Sequence, residues 1–199
     1  FDLFDEFGTD AVRFGIMLMA PQGLDVLFAK DRLEIGRNFM NKLWNACRFV
    51  QMNLPVDWAG SKDLIADNLE LPERWILSRL ADTIERFNRQ LDRFHFNEAA
   101  KVIYDFTWND FCDWYVEIAK IQFYSDNDDK KMTARLVSIK CVRTILALLH
   151  PYAPFISEEL WSYFKEDGER DLMVSSWPKM ANELMDKNTE SDMELLKDV

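Results

Sequence analysis

The sequence is poor in the residues that punctuate and staple a fold. It has 199 residues, and only six are glycine and six proline. Three are cysteine, Cys47, Cys112 and Cys141, too far apart for a CxxC pair. An odd count without metal spacing excludes a disulfide framework and a cysteine-built zinc site. It suits a reducing compartment with buried thiols. No apolar run approaches 18 residues, so no transmembrane span is expected. No signal peptide is visible. Only two histidines occur, His95 and His150, at no metal-ligand spacing. No glycine-rich phosphate loop, GxSxG or HExxH is present, and the residues show no catalytic apparatus.

Another absence is local. From Ile35 to Val50 there is no acid, although the whole chain carries a net charge of −11. Residues 30–50 hold Lys30, Arg32, Arg37, Lys42 and Arg48 against Asp31 and Glu34, a balance of +3. The remainder therefore sums to −14. An acidic body with one basic segment excludes a general nucleic-acid coat and points to a localised anion site.

Residues 31–50, DRLEIGRNFMNKLWNACRFV, read as one long helix. With Phe39 as zero and about 100° per residue, Ile35, Phe39, Leu43, Ala46 and Val50 form the apolar arc. Leu33, Met40, Cys47 and Trp44 extend it. The opposite arc, from roughly 160° to 300°, holds Arg37, Arg48, Asn41, Asn45, Asn38 and Lys42, with Phe49 inside it. A solvated helix face ordinarily mixes Glu with Lys. Three asparagines are out of place there, since Asn is a mediocre helix former. Amides read base edges, cations neutralise phosphate, and an exposed ring stacks on an unpaired base. Two readings stay open on periodicity alone. Either the arc contacts single-stranded RNA, or Phe49 packs on a neighbouring helix and the amides satisfy nearby loops.

The rest of the chain reads as helices with short breaks. Residues 2–8 suggest a short helix ended by Gly8, and Thr9 is a candidate N-cap for a helix over 10–20. Residues 24–29 are extended or loop, and 54–71 a linker. Pro72 suits the first turn of a helix along Ile76, Leu80, Ile84, Phe87 and Leu91. Asn97 is a candidate cap for an aromatic helix, with Ala99, Ile103, Phe106, Phe111, Trp114, Ile118 and Ile121 in one stripe. That helix should be central. Asp110, Asp113 and Glu117 lie along one of its faces, either as a catalytic carboxylate pair or as acids that are solvated or paired with Arg and Lys on adjacent helices. Residues 125–131 form a polar turn. A further helix runs from Leu136 to His150, before Pro151. Pro154 opens a short helix through Phe164, with Glu158 and Glu159 in its first turn. Residues 172–177, LMVSSW, fit one strand with no partner, mobile or paired with something beyond the chain. Residues 188–199 start another helix. The fold class is all-α, an antiparallel bundle of four to five long helices. Its organisation is 1–29 as helix and connector, 30–166 as bundle and 167–199 as tail.

Three stretches resemble one family. Residues 36–50, GRNFMNKLWNACRFV, are similar to the first long helix of the anticodon-binding domain of valyl-tRNA synthetases, class I aminoacyl-tRNA synthetases. Residues 104–120, YDFTWNDFCDWYVEIAK, resemble its aromatic helix, and 148–161, LLHPYAPFISEELW, its C-terminal signature. Residues 8–16, GTDAVRFGI, resemble the segment after the catalytic lysine loop of class I synthetases generally. The first two stretches carry the valine assignment, because the others are shared with isoleucine and leucine enzymes.

The resemblance implies a bundle that holds the valine tRNA by its anticodon stem-loop. The family's contacts match Lys42, Arg48 and Phe49, with the ring stacking on an anticodon base. Asn38, Asn41, Asn45 and Arg37 flank them, and Arg37 is equally an ion-pair partner. At Arg32 the match is inexact. The resemblance further implies valine–tRNA ligation using ATP and magnesium in a cytoplasmic parent enzyme. The fragment itself holds no cofactor. The family's His-Ile-Gly-His and Lys-Met-Ser-Lys-Ser motifs do not occur here, so catalytic and editing domains are expected as partners elsewhere in the parent. No membrane partner is expected. The alternatives are an isoleucyl-type anticodon domain and a helical protein-interaction module.

Overall fold

The computed structural model describes residues 2–20, 28, 30–54, 69–179 and 184–197. Among them every regular element is helical: α1 (Asp2–Phe7), α2 (Thr9–Met19), α3 (Lys30–Met52), α4 (Leu71–Asp92), α5 (Phe96–Asp105), a π-helical segment (Phe106–Tyr115), α6 (Val116–Phe123), α7 (Asp128–Leu149), α8 (Pro154–Trp161), a 3-10 turn (Leu172–Val174) and α9 (Lys187–Lys197). This is the all-α bundle that the periodicity implies. The segment 24–29, apart from Phe28, and most of the linker 54–71 lie outside the described residues.

Helix α7 is buried over most of its surface from Ala134 through Leu149, with Lys140 exposed and Arg135 and Arg143 half-buried, and forms part of the interior. So wide an apolar surface needs neighbours on several sides, and α3, α4, α5, α6 and α8 pack on it. Helix α2 lies along α3. Their backbones meet at Gly36, where a Cβ would overlap the carbonyl oxygen of Ala11. An aromatic column then crosses the bundle. Phe14 of α2 stacks on Phe39 of α3, 4.7 Å between centroids. Phe39 meets Tyr104 of α5 at 5.1 Å, and Tyr104 stacks on Trp108 at 5.6 Å.

The aromatic stretch departs from its expected stripe. Over Phe106–Tyr115 the backbone is π-helical, with each turn closed one residue wider than in an α-helix. Five-residue spacings then share a side, so Phe106 and Phe111 are buried, followed by Tyr115, Ala119 and Phe123. Trp114 and Ile121 turn outward, at 38% and 77% exposure. A 3.6-residue period cannot place them correctly once the winding changes.

Several ends are also capped otherwise than the sequence suggests. Gly8, at φ 87°, precedes α2, so Thr9 is its first helical residue. His95 precedes α5, and Asn97 is buried within it. Helix α7 begins inside the expected polar turn, because the side chain of Asn127 accepts the amides of Asp129 (3.0 Å) and Lys130 (3.1 Å). Glu158 and Glu159 fall in the second turn of α8, not the first. The first-turn amides of α8 are met by Asp10 of α2, which accepts Ile156 N at 2.6 Å.

Residues 172–177 do not form the expected strand. The Glu158 carboxylate accepts the amides of Leu172 (2.8 Å) and Met173 (3.2 Å), which winds the chain into a 3-10 turn. Trp177 then donates to Asn88 Oδ1 at 2.8 Å and packs over Phe87. The tail is thus docked by side chains without any strand partner. Helix α9 follows, capped by Asp186 and held to α4 by Ser78, whose hydroxyl donates to Glu190 at 2.6 Å.

Candidate nucleic-acid interface

The acid-free arc of α3 divides into an open part and a seam. Asn38, Asn41, Asn45 and Arg48 are exposed. They project from a helix whose other side, Leu33, Phe39, Leu43, Cys47 and Val50, is almost wholly buried. Burying that side leaves the amides and Arg48 on the open side of the helix. Among the described residues the side chains of Asn38, Asn41 and Asn45 make no hydrogen bond, so they do not satisfy adjacent described loops.

Lys42 and Phe49 lie in the seam instead, against the π-helix and α6. The Lys42 ammonium stands 3.8 Å from the ring centroid of Trp108 and donates to Asp113. Its side chain retains 25% exposure, so it is a fixed cation at the rim and not a free arm. Phe49 is half-buried. Its ring centroid lies 5.8 Å from that of Phe123, and Lys120 Nζ lies 5.5 Å from the Phe49 centroid. Phe49 therefore packs on a neighbouring helix while retaining an accessible part. Arg37 lies over the Phe7 ring at 5.3 Å and 3.8 Å from Glu34, the ion-pair role open to it from the sequence.

Trp44 corrects the apolar arc. It is 36% exposed and lines an open cleft of about 420 Å³ with Phe7, Arg37, Met40, Asn41 and Phe155. Its helical angle, about 140°, places it beside Arg37 at the edge of the polar arc. Trp108 and Lys120 are the neighbours of the seam that residue spacing missed, while Asp113 takes the role of partner to a lysine on another helix that its position left open. Aromatic and charged residues in the 104–120 stretch were visible, but their side of the helix depends on the π winding.

The carboxylates of that stretch are ion-pair partners. Asp110 accepts from Arg79 Nε at 2.8 Å, and Asp113 from Lys42. Burial pushes the Asp110 carboxyl up from its usual range, against the opposing pull of Arg79. Burial likewise pushes the Cys112 thiol, beside this seam, up to about 12, with the Lys42 charge opposing it. The described residues contain no cluster of three or more His, Cys, Asp or Glu able to hold a metal ion. None of the described helices is long and apolar enough to cross a membrane.

The fold is an all-α bundle whose helix α3 presents an exposed, acid-free face of amides and Arg48. Residues 73–199 match the family model described as the anticodon-binding domain of tRNA ligase. The chain belongs to that family. It is 44% identical over 201 residues to the valine–tRNA ligase of Fusobacterium nucleatum, covering 100% of this chain and 22% of the relative. It is 43% identical to the valine–tRNA ligase of Dehalococcoides mccartyi, covering 98% of this chain and 22% of the relative. The chain thus spans about a fifth of the length of these relatives. In fold it is similar to a LeuRS of Agrobacterium radiobacter K84 solved in a ternary complex with tRNA and LeuAMS. There the TM-score is 0.71 at 22% identity, over 93% of this chain and 21% of that one.

Proposed function

We propose that this chain holds the anticodon stem-loop of a valine tRNA against α3, as one part of a cytoplasmic valine–tRNA ligase. The observation that carries this reading is the exposed, acid-free arc of Asn38, Asn41, Asn45 and Arg48, bordered by Phe49 and Lys42. In an otherwise acidic chain such a face attracts phosphate locally, and its amides supply paired donors and acceptors for base edges. Phe49 supplies a partly open ring, and base stacking on such a ring contributes about 1–3 kcal/mol. Arg37 supports the face through its stacking on Phe7.

In this reading residues 30–166 are the binding unit. Residues 1–29 join it to a catalytic core, and 167–199 lead toward a further C-terminal region. The ligation itself, with ATP and magnesium, belongs to other domains of the ligase, as does editing. The chain's contribution is to position the tRNA.

The test is a fluorescence titration of the 199-residue chain with a valine-anticodon stem-loop and a scrambled loop, at low and moderate salt. Binding is expected to be about micromolar or weaker, because one stacked base and a few hydrogen bonds supply little more. It should weaken steeply with salt and favour the valine loop by about fivefold or more. Equal affinity for both loops would overturn the proposal.

A further inference from the structure

The seam between α3 and the π-helix holds one feature that anticodon binding alone does not explain. A lysine meant simply to neutralise phosphate works best unpaired. Lys42 is paired with Asp113, an acid placed at the edge of the surface that would receive a polyanion. Its ammonium also sits 3.8 Å from the Trp108 centroid, and the aromatic column through Tyr104, Phe39 and Phe14 fixes that ring. The arrangement depends on the winding. Trp108 and Asp113 are five residues apart. On an α-helix they would diverge by about 140°, but π-helical i,i+5 pairing brings them to one side. Such segments are rare and recur at functional sites.

We propose that Asp113 is a positioning residue for RNA specificity. It neutralises and aims Lys42, so that the ammonium reads a base edge and does not clamp any phosphate that arrives. This inference rests on the reading of α3 as an anticodon surface. An ammonium has three donors. One goes to Asp113 and the ring face of Trp108 takes the side of the charge, and the 25% exposure of the side chain leaves the remaining donors open to an oxygen or nitrogen acceptor of an unpaired base. The net charge of the pair is near zero, so this position contributes little to counterion release. Random RNA gains nothing there, while a loop with the right acceptor gains a directed hydrogen bond. Arg48, exposed on α3, remains the cation for phosphate, since Lys120 over Phe49 is itself paired with Glu117 at 2.6 Å.

The experiment compares wild type, Asp113→Asn, Lys42→Met and the double variant. Each is titrated with the valine-anticodon and scrambled stem-loops across a salt series. Asp113 is exposed at its tip, at 47%, and circular dichroism verifies that each variant keeps its helices. Asp113→Asn frees the ammonium. It is expected to tighten binding of the scrambled loop about two- to fivefold and to steepen its salt slope by roughly 0.7, the value for one phosphate of a single strand. The preference for the valine loop should fall about fivefold, as expected for one base-edge contact. In the Lys42→Met background, which keeps the stem over Trp108, Asp113→Asn should change none of these.

An unchanged preference and slope in Asp113→Asn would overturn the inference while leaving anticodon binding intact. So would a change that persists in the Lys42→Met background, because Asp113 would then act only as a general repulsive charge. If wild type itself shows no preference between the loops, the anticodon reading fails, and this inference fails with it.

Discussion

Asp10 Oδ2 accepts the backbone amide of Ile156 at 2.6 Å, across 146 positions of sequence. Its other oxygen lies 3.4 Å from Phe155 N. Helix α8 starts at Pro154 with no cap of its own, so a side chain of α2 satisfies its orphaned amides. Asp10 is 8% exposed, and replacement by alanine would leave partly buried donors without a partner. Asp10→Ala is expected to lower stability by about 1–3 kcal/mol, read by urea denaturation. Asp10→Asn, which keeps one acceptor, should lose less. Equal stability of wild type and Asp10→Ala would show that water replaces the cap.

Gly36 sets the distance between α2 and α3. A methyl group there would overlap backbone at Ala11, which cannot turn aside as a side chain can. Gly36→Ala should therefore destabilise by about 1–3 kcal/mol, the cost of overpacking. This outweighs the roughly 1 kcal/mol that the same change favours in an open helix. A gain in thermal stability would mean that the helices separate easily.

Glu73 stands in the first turn of α4 with 1% exposure, and neither carboxylate oxygen has a hydrogen-bond partner among the described residues. Burial pushes its pKa above the usual carboxylate range. Its neutral form suits the folded state. The stability it contributes is full below the unfolded value near 4.3 and is lost as pH rises through the folded value. Glu73→Gln should therefore match wild type near pH 4. By pH 8 it should exceed wild type by about 1–2 kcal/mol. A constant difference across that range in chemical denaturation would contradict the assignment.

Phe49 has two functions to separate, since it packs on Phe123 and borders the open arc. Phe49→Ala should cost about 1–2 kcal/mol of stability, less than a fully buried ring. Phe49→Leu keeps apolar contact but has no ring face. It should hold most of the stability and still lose about 1–3 kcal/mol of stem-loop affinity. If Phe49→Leu binds the valine loop as wild type does, the ring is only a packing element.

The three thiols are buried, and burial raises the pKa of each. The thiolate is the reactive form, so a disulfide reagent should label none of them in the native chain and all three in urea. Rapid labelling of Cys112 alone would show that the α3–π-helix seam opens.

Much of the architecture is a property of the sequence alone. A 3.6-residue apolar period is local, so the long helices, the breaks at Pro72, Pro151 and Pro154, and the odd face of α3 can be read without a structure. Family resemblance then tied that face to Lys42, Arg48 and Phe49. Tertiary structure decided what lies across from each residue. Lys42 meets Asp113, 71 positions away, and Asp10 caps a helix at the far end of the chain. The sequence also suggested a strand at 172–177, but Glu158 binds two of its amides and winds it into a turn. The π winding of Phe106–Tyr115 was equally invisible. Propensity and periodicity describe how a segment behaves by itself. The π-wound segment carries pairs with partners distant in sequence, Arg79 for Asp110 and Lys42 for Asp113, which no local period describes.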